Sequence, residues 1–187
     1  MVDEFSAFAR MPSPKFETEK LDELVQEAVF MQQVAHPEVS YDSKLPDVGV
    51  YLSCDRRQVA QALTNLLQNA ADALTEAHNT DGKIEIVVVE EDGETIVEVI
   101  DNGPGFPGQD QHRLTEPYVT HRDKGTGLGL AIVKKVMEDH GGRLVLAQPE
   151  QGGASVKLVF NSGASLQSAK REETKRDLKE EKIANHG

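Results

Sequence analysis

Three blocks of amide, carboxylate and glycine residues follow one another in this chain. The first lies in a helical segment and holds Asn65, Asn69 and Asp72. Residues four apart on a helix project from the same face, and Asp72, three residues further on, lies near that face. An amide oxygen is a hard neutral ligand that suits Mg²⁺, which keeps several waters and binds phosphate oxygens. The block predicts a phosphate-binding helix face, although paired asparagines can also be plain solvent-facing residues.

The second block follows an apolar strand and contains Asp101, Gly103 and Gly105. A carboxylate at the end of such a strand is costly if it is buried without a donor. The exocyclic amine of adenine is such a donor, so Asp101 is a candidate for adenine recognition. The two glycines let the backbone approach a base without a Cβ clash. An ordinary Asp-Asn-Gly turn is the simpler alternative.

The third block opens a helix and comprises Gly125, Thr126, Gly127, Leu128 and Gly129. Backbone amides at a helix N-terminus can cradle phosphates. In a dinucleotide-binding fold such a block follows a strand directly, whereas this one follows a long polar segment, which disfavours that fold. Just upstream lie Arg122 and Lys124, candidates to carry positive charge to the β- and γ-phosphates.

In this order the blocks resemble the N, G1 and G2 boxes of the ATP-binding domain that sensor histidine kinases share with gyrase, Hsp90 and MutL. The resemblance is closest to nitrogen-regulation sensor kinases of the NtrY type. It implies an α+β Bergerat fold, a two-layer sandwich whose mixed, mostly antiparallel sheet is covered on one face by helices, with a mobile ATP lid over residues 106–124. It also implies that ATP and Mg²⁺ bind, with Asn69 the metal ligand and Asn65 supporting phosphate binding or the helix itself.

The residue at position 65 bears on the reaction. In gyrase, MutL and Hsp90 a glutamate about four residues before the metal-binding asparagine activates water, whereas this chain has Asn65 there. Without a carboxylate the site lacks a general base for water, so slow ATP hydrolysis is expected, as in the kinase branch. Phosphoryl transfer to a histidine needs mainly positioning and charge neutralisation. An ATP-driven clamp of the MutL or gyrase type is thereby disfavoured.

The chain departs from the kinase pattern in two places. In the lid, Thr115 replaces a frequent phenylalanine and His121 a usual threonine, so Tyr118 becomes the expected aromatic clasp that anchors the lid. Near the last strand, Ala154 replaces a threonine that often helps to bind adenine, and Ser155 is expected to take that role. If these departures disable the site, the chain would be a non-catalytic nucleotide-sensing module.

No histidine of this chain is followed by the residues typical of a kinase phosphoacceptor site. The six are His36, His78, His112, His121, His140 and His186. The resemblance therefore implies a catalytic domain that transfers the γ-phosphoryl group of Mg-ATP to a histidine on a dimerisation domain outside this chain, with a response regulator downstream. Asn65, Asn69 and Lys124 are the residues expected to serve that transfer.

Composition limits the partners and the location. The 187 residues carry a formal net charge of −12, which argues against binding nucleic acid, because phosphate backbones need clustered Lys and Arg. The same negative charge makes the binding of anionic ATP unfavourable at long range, so a nucleotide site would need local hydrogen-bond donors or a metal ion. No apolar run approaches the ~20 residues that cross a bilayer. We expect a cytoplasmic domain, attached to the membrane only through N-terminal regions of a parent inner-membrane sensor.

The elements that position these blocks follow from apolar periodicity. It predicts helices over 21–34, 56–77 and 128–140, with Asp55 as the N-cap of the second. Alternation predicts strands over 39–43, 48–53, 83–89, 95–100, 143–147 and 155–160. Consecutive hairpins and clustered helices favour an α+β sandwich.

The chain divides into three regions. Residues 1–14 resemble the end of a dimerisation helix, because Val2, Phe5, Phe8 and Met11 have helical spacing and two prolines follow; an ordinary N-terminal arm is the alternative. Residues 15–161 form the ATP-binding domain. Residues 162–187 have mixed charges and few apolar side chains, so they are expected to be disordered or loosely helical.

Overall fold

The computed structural model describes residues 11–106, 111–119 and 126–161. In chain order the elements are β1 Glu17–Lys20, α1 Leu21–Ala35, β2 Ser40–Lys44, β3 Tyr51–Cys54, α2 Arg56–Glu76, β4 Lys83–Glu91, β5 Glu94–Asp101, a 3₁₀ helix over Gln111–Thr115, α3 Gly129–Asp139, β6 Arg143–Ala147 and β7 Ala154–Asn161. The three predicted helices and six predicted strands are confirmed within a few residues. Sequence periodicity missed β1 and the 3₁₀ helix, which are too short to show a pattern.

Five strands form one mixed sheet in the order β2-β4-β5-β7-β6. β2 runs parallel to β4, and the other three pairs are antiparallel. Asp92 and Gly93 join β4 to β5 with φ of 51° and 78°, as a tight two-residue hairpin turn requires. β1 and β3 pair separately in a small antiparallel sheet. The predicted fold class, α+β with a mostly antiparallel mixed sheet, is confirmed.

One face of the five-stranded sheet carries the core. The inward side chains of β4 and β5 are Ile84, Ile86, Val88, Val97 and Val99, each at most 3% exposed. They join buried leucines of α2 and valines of α3 in a single cluster. Burying an aliphatic side chain of this size stabilises a fold by about 1.5–3 kcal/mol. This shared core sets the distance between α2 and α3, the two helices that carry the first and third blocks.

The opposite face of the sheet carries paired charges. Lys44 Nζ lies 2.9 Å from Glu85 Oε2, and Lys157 Nζ lies 3.4 Å from Glu98 Oε2. Such exposed pairs contribute roughly 0–1 kcal/mol each. This polar face is consistent with a sandwich that has helices on one side only.

α2 begins at the predicted cap. The Oδ1 atom of Asp55 accepts hydrogen bonds from the backbone N–H groups of Arg57 and Gln58, at 3.0 and 3.1 Å. Burial by itself would raise the pKa of the Asp55 carboxyl, but backbone donors, with Lys15 foremost, and the Arg57 guanidinium bring it below its usual value. Asp55 is therefore held as a carboxylate at the start of the helix.

Residues 11–16 run across the start of α2 without regular secondary structure. Gln58 Nε2 donates to the Pro12 carbonyl oxygen at 2.8 Å, and the Lys15 N–H donates to Asp55 Oδ2 at 2.9 Å. Met11 packs against the core. Met11 and Pro12, predicted from the sequence to lie at the end of a dimerisation helix, thus contact the ATP-binding domain. The rest of that predicted helix, residues 1–10, and the predicted tail over 162–187 lie outside the described residues.

None of the described helices has the length and apolar character that a bilayer-spanning helix requires. The lone cysteine, Cys54, is buried in the core. Burial, together with the nearby carboxylates of Glu19 and Asp55, raises the pKa of its thiol to about 12. Because the thiolate is the nucleophilic form of cysteine, Cys54 is a structural residue.

Candidate nucleotide site

The first block meets the third where α2 passes the start of α3. A Cβ atom on Gly129 would lie 3.3 Å from Asn69 Nδ2 and 3.5 Å from Asn69 Oδ1. The amide of Asn69 therefore lies directly against the first residue of α3, and the absence of a side chain there leaves room around it. This is the end of a helix at which backbone N–H groups lack partners within the helix and can receive an anion.

One turn further along α2, the same helix face meets the second block. A Cβ atom on Gly103 would lie 2.9 Å from Asp101 Oδ1 and 3.9 Å from the Cβ atom of Ala73. Asn69 and Ala73 are four residues apart, which is about 6 Å along a helix axis. The three blocks, separated by up to 60 residues of sequence, are thus gathered along a short stretch of α2.

Asp101 is the last residue of β5 and is 8% exposed. Its Oδ1 atom accepts hydrogen bonds from the Gly103 N–H at 2.9 Å and from the Ala154 N–H at 3.3 Å. These backbone donors stabilise a buried carboxylate and orient it before any ligand arrives. The expected role of Asp101 as an acceptor for an adenine amine stays a prediction.

The loop after β5 and the turn before β7 fit closely together. A Cβ atom on Gly105 would lie 2.8 Å from the Gly153 carbonyl oxygen and 2.7 Å from Gln148 Nε2. Any side chain at position 105 would push the two loops apart. Sequence reasoning did not single out Gly153, and the Gly-Gly pair before the last strand was the signal available for it.

The end of the lid segment contacts the third block through its backbone. The Tyr118 N–H donates to the Gly127 carbonyl oxygen at 3.0 Å, and a Cβ atom on Gly127 would lie 2.7 Å from the Tyr118 carbonyl carbon. The Tyr118 side chain is 60% exposed. Its backbone thus makes the described contact with the block, and the expected role of its ring as a clasp stays a prediction.

Two further residues of the third block have local roles at the start of α3. Thr126 Oγ1 accepts a hydrogen bond from the Leu128 N–H at 3.4 Å. The Leu128 side chain is 2% exposed and belongs to the core. Leu128 can therefore reach a nucleotide only through its backbone. Gly125, Arg122, Lys124 and His121 lie outside the described residues, as do residues 107–110 and 120–124 of the predicted lid.

Asn65 and Asp72 extend the α2 face on either side of Asn69. The Nδ2 atom of Asn65 is buried and has no hydrogen-bond partner among the described residues. A buried donor left unpaired costs about 1–3 kcal/mol, so this amide is placed to gain from a ligand acceptor. Asp72 Oδ1 accepts from Gln68 Nε2 at 2.8 Å, and the same nitrogen lies 3.0 Å from His36 Nε2.

Ser155 is not brought to this site. It pairs with Ile100 in the sheet, while Ala154 pairs with Asp101, and successive side chains of a strand point to opposite faces. The Ser155 hydroxyl donates to Glu98 Oε1 at 2.6 Å, on the outer face. The expectation that Ser155 replaces the missing threonine therefore disagrees with the structure: the inward position belongs to Ala154, which has no hydroxyl group.

A cleft of about 610 Å³ lies elsewhere, between α3, the 3₁₀ helix and β6. Its walls include Thr115, Met137, Leu144 and Leu146, and none of the residues of the three blocks. This cleft is therefore separate from the place where the three blocks converge.

Residues 54–163 match the model of a family described as histidine kinase-, DNA gyrase B-, and HSP90-like ATPase. The chain is 47% identical to the nitrogen regulation protein NtrY of Azorhizobium caulinodans, over 87% of this chain and 21% of that protein. It thus spans about a fifth of the length of that relative.

The chain is also similar to two solved structures. One is the mycobacterial sensor histidine kinase MprB, with a TM-score of 0.69 and 25% identity over 78% of this chain and 97% of that chain. The other is the catalytic domain of the histidine kinase ThkA, with a TM-score of 0.68 and 28% identity over 79% of this chain and 96% of that chain.

Proposed function

The chain belongs to the histidine kinase-, DNA gyrase B- and HSP90-like ATPase family and is an ATP-binding catalytic domain of a sensor histidine kinase, and from that premise we propose that it transfers the γ-phosphoryl group of Mg-ATP to a histidine of a separate dimerisation domain. The observation that carries this proposal is the convergence of Asn69, Gly129, Gly103 and Asp101 along one face of α2. It supports a site with a phosphate end at Gly129 and a base end at Asp101.

At the base end, Asp101 accepts a hydrogen bond from the exocyclic amine of adenine. A carbonyl group replaces that amine in guanine, so a fixed carboxylate selects adenine by repelling the alternative. Gly103 and Gly105 let the base approach the loop after β5. The backbone donors from Gly103 and Ala154 keep the carboxylate in place, which is why recognition needs little reorganisation.

At the phosphate end, the donors are suited to Mg²⁺ with nucleotide phosphates. Among the described residues no group of three or more His, Cys, Asp or Glu could hold a metal by itself, so the Asn69 amide oxygen would be the protein ligand and phosphate oxygens would supply others. The space beside Gly129, which a Cβ atom would fill, fits that arrangement. Bound Mg²⁺ would neutralise charge on the transferring phosphoryl group.

The remaining groups position the phosphates and exclude hydrolysis. Amides of Gly127 and Gly129 at the start of α3 receive phosphate oxygens, Asn65 supplies a further donor, and Arg122 and Lys124 add positive charge from the lid. Because Asn65 cannot act as a base toward water, transfer of the phosphoryl group to water is slow, and a nucleophilic histidine is the acceptor instead. This favours a kinase over a MutL- or gyrase-type clamp.

The wider role follows from the same family. We infer that a response regulator receives the phosphoryl group from the dimerisation domain. A parent sensor would anchor this domain at the cytoplasmic face of the inner membrane through regions before residue 1. The lid over 106–124 would close on the triphosphate.

Calorimetry followed by a transfer assay tests the proposal. ADP and a non-hydrolysable ATP analogue are titrated with and without Mg²⁺, and radiolabelled ATP is then supplied with the dimerisation domain of an NtrY-type kinase. Binding followed by acid-labile label on the acceptor supports the kinase. Binding without transfer would indicate a nucleotide-sensing module, rapid hydrolysis would indicate a clamp, and absence of binding would overturn the proposal.

A further inference from the structure

His140, the residue that directly follows α3, connects the ends of two helices. Its Nδ1 atom lies 2.7 Å from the Val136 carbonyl oxygen, and its Nε2 atom lies 3.0 Å from the Asp55 backbone nitrogen. A carbonyl oxygen only accepts and an N–H only donates, so the ring is neutral with its proton on Nδ1. His140 therefore joins the last turn of α3 to the residue that caps α2.

The same place holds the chain that enters the domain. The ring of Phe16 lies 5.1 Å from the ring of His140 between centroids. Asp55 accepts from the Lys15 N–H, and Gln58 donates to the Pro12 carbonyl oxygen. We call Asp55, Gln58 and His140 the linker seat, because they hold residues 12–16.

The linker seat lies at the far ends of the two helices that form the nucleotide site. Asp55 is 14 residues before Asn69, which is about 21 Å at 1.5 Å per residue, and His140 is 11 residues after Gly129, about 16 Å. At their other ends the helices meet where Asn69 contacts Gly129, a contact close enough that a Cβ atom on Gly129 would be crowded at 3.3 Å. Rigid helices of this length are the kind of element that can carry energetic coupling between two sites.

We propose that the linker seat is a coupling site, in which seating of residues 12–16 and binding of nucleotide favour each other through His140 as the positioning residue. This rests on the proposed function in one respect, namely that the site binds a nucleotide. Coupling of two binding events is reciprocal. Release of residues 12–16 therefore lowers nucleotide affinity, and bound nucleotide strengthens the seat. Any element that precedes residue 12 and pulls on it would thereby control the site.

Gln58→Met tests the coupling without touching the nucleotide site. It removes the hydrogen bond to Pro12 while keeping the size of the side chain. Gln58 Oε1 is buried and has no partner among the described residues, so methionine is not expected to weaken the domain. Gln61→Met is the matched control, because it makes the same change one turn along α2 at an exposed position. We expect ADP affinity to fall about fivefold or more in Gln58→Met and to stay unchanged in Gln61→Met.

Hydrogen exchange at the Lys15 amide supplies the reciprocal measurement. In the wild type, ADP should slow its exchange, since the donor to Asp55 lies in the seat, and this protection should shrink in Gln58→Met. His140→Ala should lower ADP affinity further, and His140→Gln should restore part of it, because the glutamine Oε1 atom can accept from the Asp55 N–H. Thermal unfolding of each ligand-free variant is measured alongside.

The outcomes separate the two proposals. If the wild type does not bind ADP, the proposed function and the coupling both fail. If the wild type binds ADP and Gln58→Met binds it equally well while the Lys15 amide exchanges faster, the coupling alone is overturned. If His140→Ala loses affinity and His140→Gln restores none of it, His140 is only a structural residue of the fold.

Discussion

The backbone carbonyl oxygen of Asp101 occupies the place that a side chain on Gly153 would need. A Cβ atom on Gly153 would overlap that oxygen, and the residue has a φ of 83°. The neighbouring Gly152 has a φ of 92°, but no atom lies within 4 Å of its Cβ position. A comparison of the two glycines therefore distinguishes the effect of a steric contact beside Asp101 from the effect of backbone strain alone.

Gly153→Ala should destabilise the domain by about 2–5 kcal/mol, because strain at a positive φ adds to overpacking against backbone. Gly152→Ala should cost only about 1–3 kcal/mol, since strain acts there without a clash. The free energy of unfolding in urea measures both. Equal losses in the two variants would contradict the close approach of Gly153 to Asp101.

Asp101→Asn should weaken ADP binding by roughly 10- to 100-fold while the domain stays folded. The amide oxygen can keep the bonds from Gly103 and Ala154, but the charged acceptor is lost, and a hydrogen bond to a charged group contributes about 1.5–3 kcal/mol. Calorimetry measures the affinity, and Asp42→Asn on the outer edge of the sheet serves as the control. Equal ADP affinity in the wild type and Asp101→Asn would refute the assignment.

Asn69→Ala should reduce the magnesium-dependent part of ATP-analogue binding and spare adenosine binding. The substitution removes the proposed metal ligand but leaves Asp101 and its loop in place. Titrations with Mg²⁺ and with a chelator separate the two parts, and Thr64→Ala at an exposed position of α2 is the control. A parallel loss of adenosine binding would make Asn69 a structural residue.

The isolated chain should hydrolyse ATP very slowly and should not phosphorylate itself. Asn65 offers no general base for water, and none of the histidines has the sequence context of a phosphoacceptor. Incubation with radiolabelled ATP and acid or alkaline quenching measures both. Strong acid-labile label on this chain alone would show that one of its own histidines accepts the phosphoryl group.

Tyr41 should ionise at a higher pH than an ordinary tyrosine. Burial, with the carboxylates of Glu38 and Asp72 nearby, raises its pKa to about 12 from an ordinary 10. Because the folded-state pKa is raised, the neutral phenol stabilises the fold fully below pH 10, and that stability is lost as pH rises toward 12. Absorbance titration should show one late phenolate that Tyr41→Phe removes. Unfolding of Tyr41→Phe should depend less on pH between 10 and 12.

The amino-acid sequence by itself determined the elements and the class of site. Apolar periods of 3.6 and 2 residues are local signals, so helices such as Leu21–Ala35 and the strands of the β4–β5 hairpin could be located to within a few residues. Asp55 was predicted as a cap for the same reason, since capping involves only the next few residues. The order of the three blocks resembles that of a known ATP-binding domain, and this resemblance indicated the class of site.

Only the tertiary structure decided which of these residues meet. Ser155 was expected at adenine, yet the register that pairs Ala154 with Asp101 turns Ser155 to the outer face. Register is a relation between strands 53 residues apart in sequence, and no local pattern encodes it. The bond between His140 and Asp55 spans 85 residues and joins two helix ends that the core brings together. In sequence, a histidine followed by a Gly-Gly pair indicates only the end of a helix. Its contact with Asp55 depends on how the two helices pack, which no local pattern encodes.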